Sequence, residues 1–400
     1  MKKILPLIIL AFYATSIFAQ VLTFNQGKIK QKHYLQKIPY QEIKGIPVVS
    51  VTINGKAYKF LFDTGATLAI SDKIFKELNL QVIKQINAAD ASGEVEKVRL
   101  IVLPEIDLQG ITFLNTSGGV FPENSEATKI AECLEIDGFI GSSMLKNSVV
   151  QFDVLNKQII ITNDIKSVLL PHTINEYQKM TLSPWISQPY IKIALQKGTH
   201  RVVYDVLFDT GDAEDLFTLS LNELNDCVVD KIAETEGSSG MGCHGVYKKQ
   251  KHLLLNIPEL DICGTTFNEV IVSTTNAKSS RVGTKLFQYG KPTLDYKKKR
   301  FYFEPFNNIN TNKPVESPWN FNPTIQNNKL VVGIIWDKTL ESQINLGDEI
   351  LSINGIDIQS MNLCELFLLK FPDSDKMIYE LRDINTGEIK KIERMQFIKE

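Results

Sequence analysis

Two stretches of the chain place apolar residues at every second position in the same way. In residues 47–63, Val49, Val51 and Ile53 lead to Asn54-Gly55, and Tyr58, Phe60 and Phe62 return. In residues 189–209, Ile191, Ile193 and Leu195 lead to a turn around Lys197-Gly198, and Val202, Tyr204, Val206 and Phe208 return. Period-two alternation on both sides of a glycine turn predicts a β-hairpin. Each hairpin runs into the same four residues, Phe-Asp-Thr-Gly, at Phe62–Gly65 and Phe208–Gly211.

The parallel continues downstream. Leu103–Phe113 (LPEIDLQGITF) matches Ile257–Phe267 (IPELDICGTTF), with Pro, Glu, Asp, Gly, Thr and Phe in register. Asp137–Ile161 then matches Ser280–Phe303. Like elements in like order predict a duplicated, β-rich unit: one half at 20–170 and a second at 171–306. Residues 307–322 are rich in Asn and Pro with few apolar positions, which predicts a linker. A small α+β unit is expected at 323–400. Leu330–Trp336 is strand-like, Ile344–Ile358 holds a turn, a strand and an Asn-Gly hairpin, and Met361–Lys370 has helical spacing.

Composition narrows the function classes. Apolar residues at 43% and charged residues at 22% fit an ordinary globular chain of 400 residues and exclude wholesale disorder. The net charge is −2 without a basic face, which argues against a nucleic-acid partner. Residues 1–19 carry Lys2 and Lys3, an apolar run from Ile4 to Phe12 and a small residue at Ala19. This is the pattern of a secretory signal peptide, so export to the periplasm or the exterior is expected, with no membrane span in the mature chain. The five cysteines are odd in number and sparse, so the fold is expected not to depend on disulfides, and their pairing stays open. Cys227, Cys243, His244, His252 and Cys263 match no zinc spacing, so no metal and no cofactor are expected.

The repeated Asp residues suggest the chemistry. Two carboxylates brought together cannot both ionise easily and therefore share one proton. The ionised member can activate a water while the protonated one polarises a carbonyl, which hydrolyses an amide without metal or covalent intermediate. Asp63 and Asp209 are the candidate catalytic pair. Thr64 and Thr210 are expected to tie the two loops by hydrogen bonds, and Gly65 and Gly211 to permit the tight turn.

At FDTGA (Phe62–Ala66), FDTGD (Phe208–Asp212), GFIG (Gly138–Gly141) and RVG (Arg281–Gly283) the chain resembles the retropepsin-like aspartic proteases, from about Gly45 to Phe306. The resemblance implies a mostly β fold of two pseudo-symmetric β-barrel halves with a cleft between them, and a polypeptide substrate. It implies a substrate pocket at Ala66, Phe139, Ile140, Asp212, Arg281 and Val282. It also implies flaps at Ala88–Gly93, with Ser92 and Gly93, and at Gly237–Gly245, with Gly240 and Gly242. Leu330–Ile358, with NLGDEILSING at Asn345–Gly355, resembles a bacterial-type PDZ domain. That implies capture of a peptide C-terminus, although the usual Gly-rich carboxylate loop is not evident in Trp319–Asn328, and a purely structural cap is the alternative.

The second copy departs from the family pattern at Asp212, in the place of Ala66, and at Arg281, in the place of Phe139. Two opposite charges replacing an apolar pair are expected to form a salt bridge that keeps Asp212 ionised. The resulting function is an exported aspartic endopeptidase. The rival reading is a non-catalytic peptide-binding protein that keeps the cleft and the PDZ-like unit without turnover.

Overall fold

The computed structural model describes residues 23–89, 95–121, 126–238, 241–242, 245–246, 248–307, 309, 311–312, 318–371 and 374–397. The proposed signal peptide and three flap residues, Ser92, Gly93 and Gly240, lie outside them.

Both predicted hairpins form. Ile46–Ile53 pairs with Lys56–Asp63 through an Asn54-Gly55 turn, where both residues take positive φ, as the tight hairpin turn requires. Pro189–Lys197 pairs with His200–Phe208, and the turn residues are Gly198 and Thr199. The alternating apolar residues point inward: Val49, Val51, Phe60 and Phe62 are buried, as are Ile191, Ile193, Val206 and Phe208. Burying each such phenylalanine contributes about 2–3 kcal/mol.

Each hairpin then receives a strand from far along the chain. Gly138–Gly141 lies parallel to Lys56–Asp63, with Gly141 opposite Asp63, and antiparallel to Ala69–Ile70. Arg281–Val282 lies parallel to His200–Phe208, with Val282 opposite Phe208, and antiparallel to Phe217–Ser220. These strands belong to a nine-stranded sheet built from residues 28–141 and an eight-stranded sheet built from residues 181–282.

A third sheet of six strands draws on both regions. Val149–Asp153 pairs antiparallel with Gly290–Asp295, joining residues that the sequence assigns to different halves. Phe152 of this sheet packs against Phe62, Phe208 and Phe287 in one core, its ring centroid 4.9–6.1 Å from each of theirs. The two regions therefore share one core.

Residues 321–395 form a six-stranded sheet with the helix Leu363–Leu368 and their own core around Phe321, Val332, Ile350 and Tyr379. Its first strand, Phe321–Gln326, begins inside the stretch read as linker. The helix is shorter than its apolar spacing suggests. A capping box of Asn362 and Glu365 starts it, and the Phe371-Pro372 step disfavours continuation. One disulfide, Cys133–Cys364, ties this helix to Glu126–Cys133 in the first region. Among the described residues no helix is long and apolar enough to cross a membrane.

Candidate active site

Asp63 ends one hairpin and Asp209 directly follows the other, and the two loops are bonded to each other. The Thr64 backbone N–H donates to Thr210 Oγ1 at 3.0 Å, and the Thr210 N–H donates to Thr64 Oγ1 at 3.0 Å. Each hydroxyl in turn donates across the junction: Thr64 Oγ1 to the Phe208 carbonyl at 2.6 Å, and Thr210 Oγ1 to the Phe62 carbonyl at 2.7 Å. Both threonines are fully buried. A hydroxyl can donate and accept at once, so Thr satisfies two backbone groups on the opposite loop where Val would satisfy none.

This junction brings the carboxyl groups together. Gly65 N–H donates to Asp63 Oδ1 at 2.8 Å, and Gly211 N–H donates to Asp209 Oδ1 at 3.0 Å. Each carboxyl group also sits against the other loop's glycine. A Cβ on Gly65 would fall 2.4 Å from Asp209 Oδ1, and one on Gly211 would fall 2.5 Å from Asp63 Oδ2. Glycine is required at both positions because the opposing carboxylate occupies that space. Burial and the neighbouring Asp209 carboxylate, which lies within hydrogen-bonding reach, push the Asp63 pKa well above its ordinary value.

Behind the first loop, Ser142 Oγ donates to the Thr64 carbonyl at 2.7 Å and lies 2.8 Å from the Tyr296 hydroxyl. Gln188 Nε2 donates to the Gly65 carbonyl at 2.6 Å. These supports were missed by the sequence reading. Ser142 directly follows GFIG and could have been suspected, whereas Tyr296 and Gln188 carry no signal by position or motif.

The two carboxyl groups open into a cleft of about 550 Å³. Phe139, Asp212 and Arg281 line it. Ile140 and Val282 do not; both are fully buried in the core, and their assignment to the substrate pocket is corrected. In a strand, neighbours face opposite ways, so where Phe139 and Arg281 face the cleft, Ile140 and Val282 must face inward. Ala66 is half-buried, and its carbonyl accepts from the Ser142 N–H at 3.0 Å.

Arg281 Nε lies 3.5 Å from Asp212 Oδ2, with both side chains largely buried, so the expected ion pair is present. The pair does not hold the Asp212 pKa down. Burial outweighs the Arg281 guanidinium, Asp209 adds to the rise, and the Asp212 pKa is pushed up to about 6. Glu214 and Asp215 stand beside Asp212 in the same cleft and were not anticipated.

At the described ends of the two flap ranges, Ala88 and Ala89 lie in one hairpin arm and Gly237 in another. Lys84–Ala89 pairs with Val95–Leu108, and Asp230–Gly237 pairs with Gln250–Ile262. Gly242 lies in a two-residue strand, Met241–Gly242, paired with Gly245–Val246. Among the described residues no cluster of His, Cys, Asp and Glu is arranged to hold a metal.

Residues 49–144 match a family model described as Aspartyl protease, which takes in the first Asp loop and Gly138–Gly141 but not the second loop. No curated protein matches the chain. Similar solved structures include a retropepsin-like aspartic protease from Rickettsia conorii, 18% identical, covering 34% of this chain and 94% of that one, with a TM-score of 0.24. Another is conglutin gamma, a unique basic 7S globulin from lupine seeds, 11% identical, covering 69% of this chain and 96% of that one, with a TM-score of 0.38.

Proposed function

We propose that the chain is an aspartic endopeptidase of the retropepsin-like family, duplicated so that one chain supplies both halves of the site. The observation that carries this reading is the reciprocal Thr64–Thr210 junction, which sets Asp63 and Asp209 against each other at the floor of one cleft. The pair holds one proton between them. Its ionised member takes a proton from a water, and its protonated member donates to the scissile carbonyl oxygen as the water attacks. The carboxyl that took the water's proton then protonates the amine nitrogen, the C–N bond breaks, and a hydroxyl of the intermediate returns its proton to the other carboxylate, which restores the pair's single proton. The flap hairpins close over the substrate, and residues 323–400 form a PDZ-like unit.

Export fits the same reading. The Cys133–Cys364 bond needs an oxidising compartment, and residues 1–19 have the pattern of a signal peptide.

The test is digestion of a denatured protein mixture between pH 4 and pH 7, with and without an inhibitor that mimics the tetrahedral intermediate. Cleavage that the inhibitor stops is the expected result. Binding of peptides without cleavage at any pH would instead favour a peptide-binding protein.

A further inference from the structure

The cleft that holds Asp63 and Asp209 is not closed by the two Asp-bearing regions alone. Ile325, Leu330, Phe367 and Phe371, all from the C-terminal unit, line the same cavity. Leu330 is buried, whereas the Phe371 side chain is 38% exposed although large and apolar. From the first region, Ile130, Leu134 and Phe139 line the same cavity. The cavity therefore joins the acidic groups around Asp63 and Asp209 to apolar side chains from both the first region and the C-terminal unit.

The C-terminal unit is fixed in that position from three directions. Cys364 is bonded to Cys133, one turn from Ile130. Lys44 Nζ sits 5.3 Å from the centre of the Phe367 ring and reaches the Leu369 carbonyl at 3.5 Å. On the other side, the Ser238 N–H at the end of a flap arm donates to the Gly333 carbonyl at 2.9 Å, and Leu254, Ile334 and Trp336 bury one another. Phe321–Gln326 is an edge strand of its sheet, and its residues Thr324 and Ile325 line the cavity. An edge strand offers backbone donors and acceptors to an extended chain.

We infer that the C-terminal unit is part of the substrate cleft: Ile325, Leu330, Phe367 and Phe371 form a specificity wall for an apolar side chain of the polypeptide being cut. The inference rests on the protease reading and deepens it. The occupant is an internal segment of the substrate, because the wall is continuous with the Asp pair and is apolar. Recognition depends on chain length and side chain, and not on a free C-terminal carboxylate.

The experiment compares Ile325→Ser and Phe367→Ser with the wild-type chain, all checked for folding by circular dichroism and thermal melting. Kinetics are measured on a short peptide and on a peptide extended on either side by apolar residues, with free and amidated C-termini. The wild-type protein should prefer the extended peptide, amidated or not. Each variant should lower that preference, measured as the ratio of kcat/KM values, about tenfold, mainly through KM. Affinity for the extended peptide is also measured by fluorescence anisotropy on Asp63→Asn protein with and without Phe367→Ser. Weakened binding there supports the wall even if the wild type cleaves nothing, in which case the protease reading alone fails. Cleavage with an unaltered preference in both serine variants overturns the wall and leaves the protease reading standing. Binding that requires a free carboxylate also overturns it, as does the absence of both binding and cleavage.

Discussion

At residues 63–66 and 209–212 the backbone makes matching hydrogen bonds, yet the side chains behind the two loops are opposite in character. Ala66 and Asp212 each donate an N–H to the carbonyl of their own loop's Asp at 3.2 Å. Each also offers its carbonyl to the first residue of the short helix after the strand behind, Ala66 to Ser142 at 3.0 Å and Asp212 to Thr284 at 2.7 Å. In the first region Phe139 then packs on Phe121, with centroids 5.0 Å apart. In the second, Arg281 pairs with Asp212 and also donates to Thr275 Oγ1 at 3.3 Å. The backbone frame that holds the carboxyl groups tolerates either lining. The frame sets the chemistry, and the lining sets the charge of each side of the cleft.

The comparison breaks most completely if the carboxyl pair is disturbed. Asp63→Asn and Asp209→Asn should each lower peptide hydrolysis by about a thousandfold or more, because a lone carboxylate cannot both accept and donate the protons. Stability should not fall with activity. Folding raises the Asp63 pKa, so the native state holds that proton more tightly than the unfolded chain does. The stabilisation this brings is full below about pH 4 and is lost as pH rises through the native pKa. Asp63→Asn removes that loss, so thermal melts should show it gaining on the wild type toward neutral pH.

A smaller but still large effect is expected from Gly65→Ala and Gly211→Ala. Either Cβ would displace the carboxyl group of the opposite loop, and displacement of that order costs about a hundredfold in rate. Equal losses from the two variants would show that the loops are equivalent in function as well as in backbone. A loss from one alone would show that only one carboxylate must be exactingly placed.

Writing the first lining into the second sharpens the contrast. Arg281→Phe leaves Asp212 buried without its guanidinium and should cost about 3 kcal/mol in denaturant unfolding. Asp212→Ala combined with Arg281→Phe copies the first region and should recover most of that loss. No recovery would mean that Arg281 acts through Thr275 rather than through Asp212.

The smallest effect is a pH slope. The Asp212 pKa rises on folding to about 6, so its contribution to stability is present below about pH 4 and disappears as pH climbs through 6. Asp212→Asn should lack that loss, and its stability relative to the wild type should rise by about 2–3 kcal/mol between those limits. A flat difference between the two proteins would place the titration elsewhere.

Much of this was legible in the chain itself. Alternation at Val49, Val51 and Ile53, and again at Ile191, Ile193 and Leu195, sufficed for both hairpins, because a strand's side chains must face opposite ways. The recurrence of Phe-Asp-Thr-Gly marked both carboxylates and both threonines. The opposite signs of Asp212 and Arg281 indicated their contact, since a lone charge there would be buried without a partner. What was misjudged is also physical. Ile140 and Val282 were placed in the pocket because their motif lies near it, but strand alternation turns them inward. The ion pair also does less for Asp212 than its charge suggests, because burial and Asp209 outweigh one guanidinium and push its pKa up to about 6.

Local pattern and repetition thus determined the elements, their order and the residues of the Asp loops, since those depend on neighbours within a few positions. Tertiary structure alone decided what surrounds them. Only packing could pair Val149–Asp153 with Gly290–Asp295, bring Tyr296 to Ser142, or bond Cys133 to Cys364 across 231 residues. Only packing could set Ile325 and Phe367 into the cleft of Asp63 and Asp209. Such contacts arise between surfaces rather than between neighbours in the chain, and no single segment carries a pattern for a partner so far away.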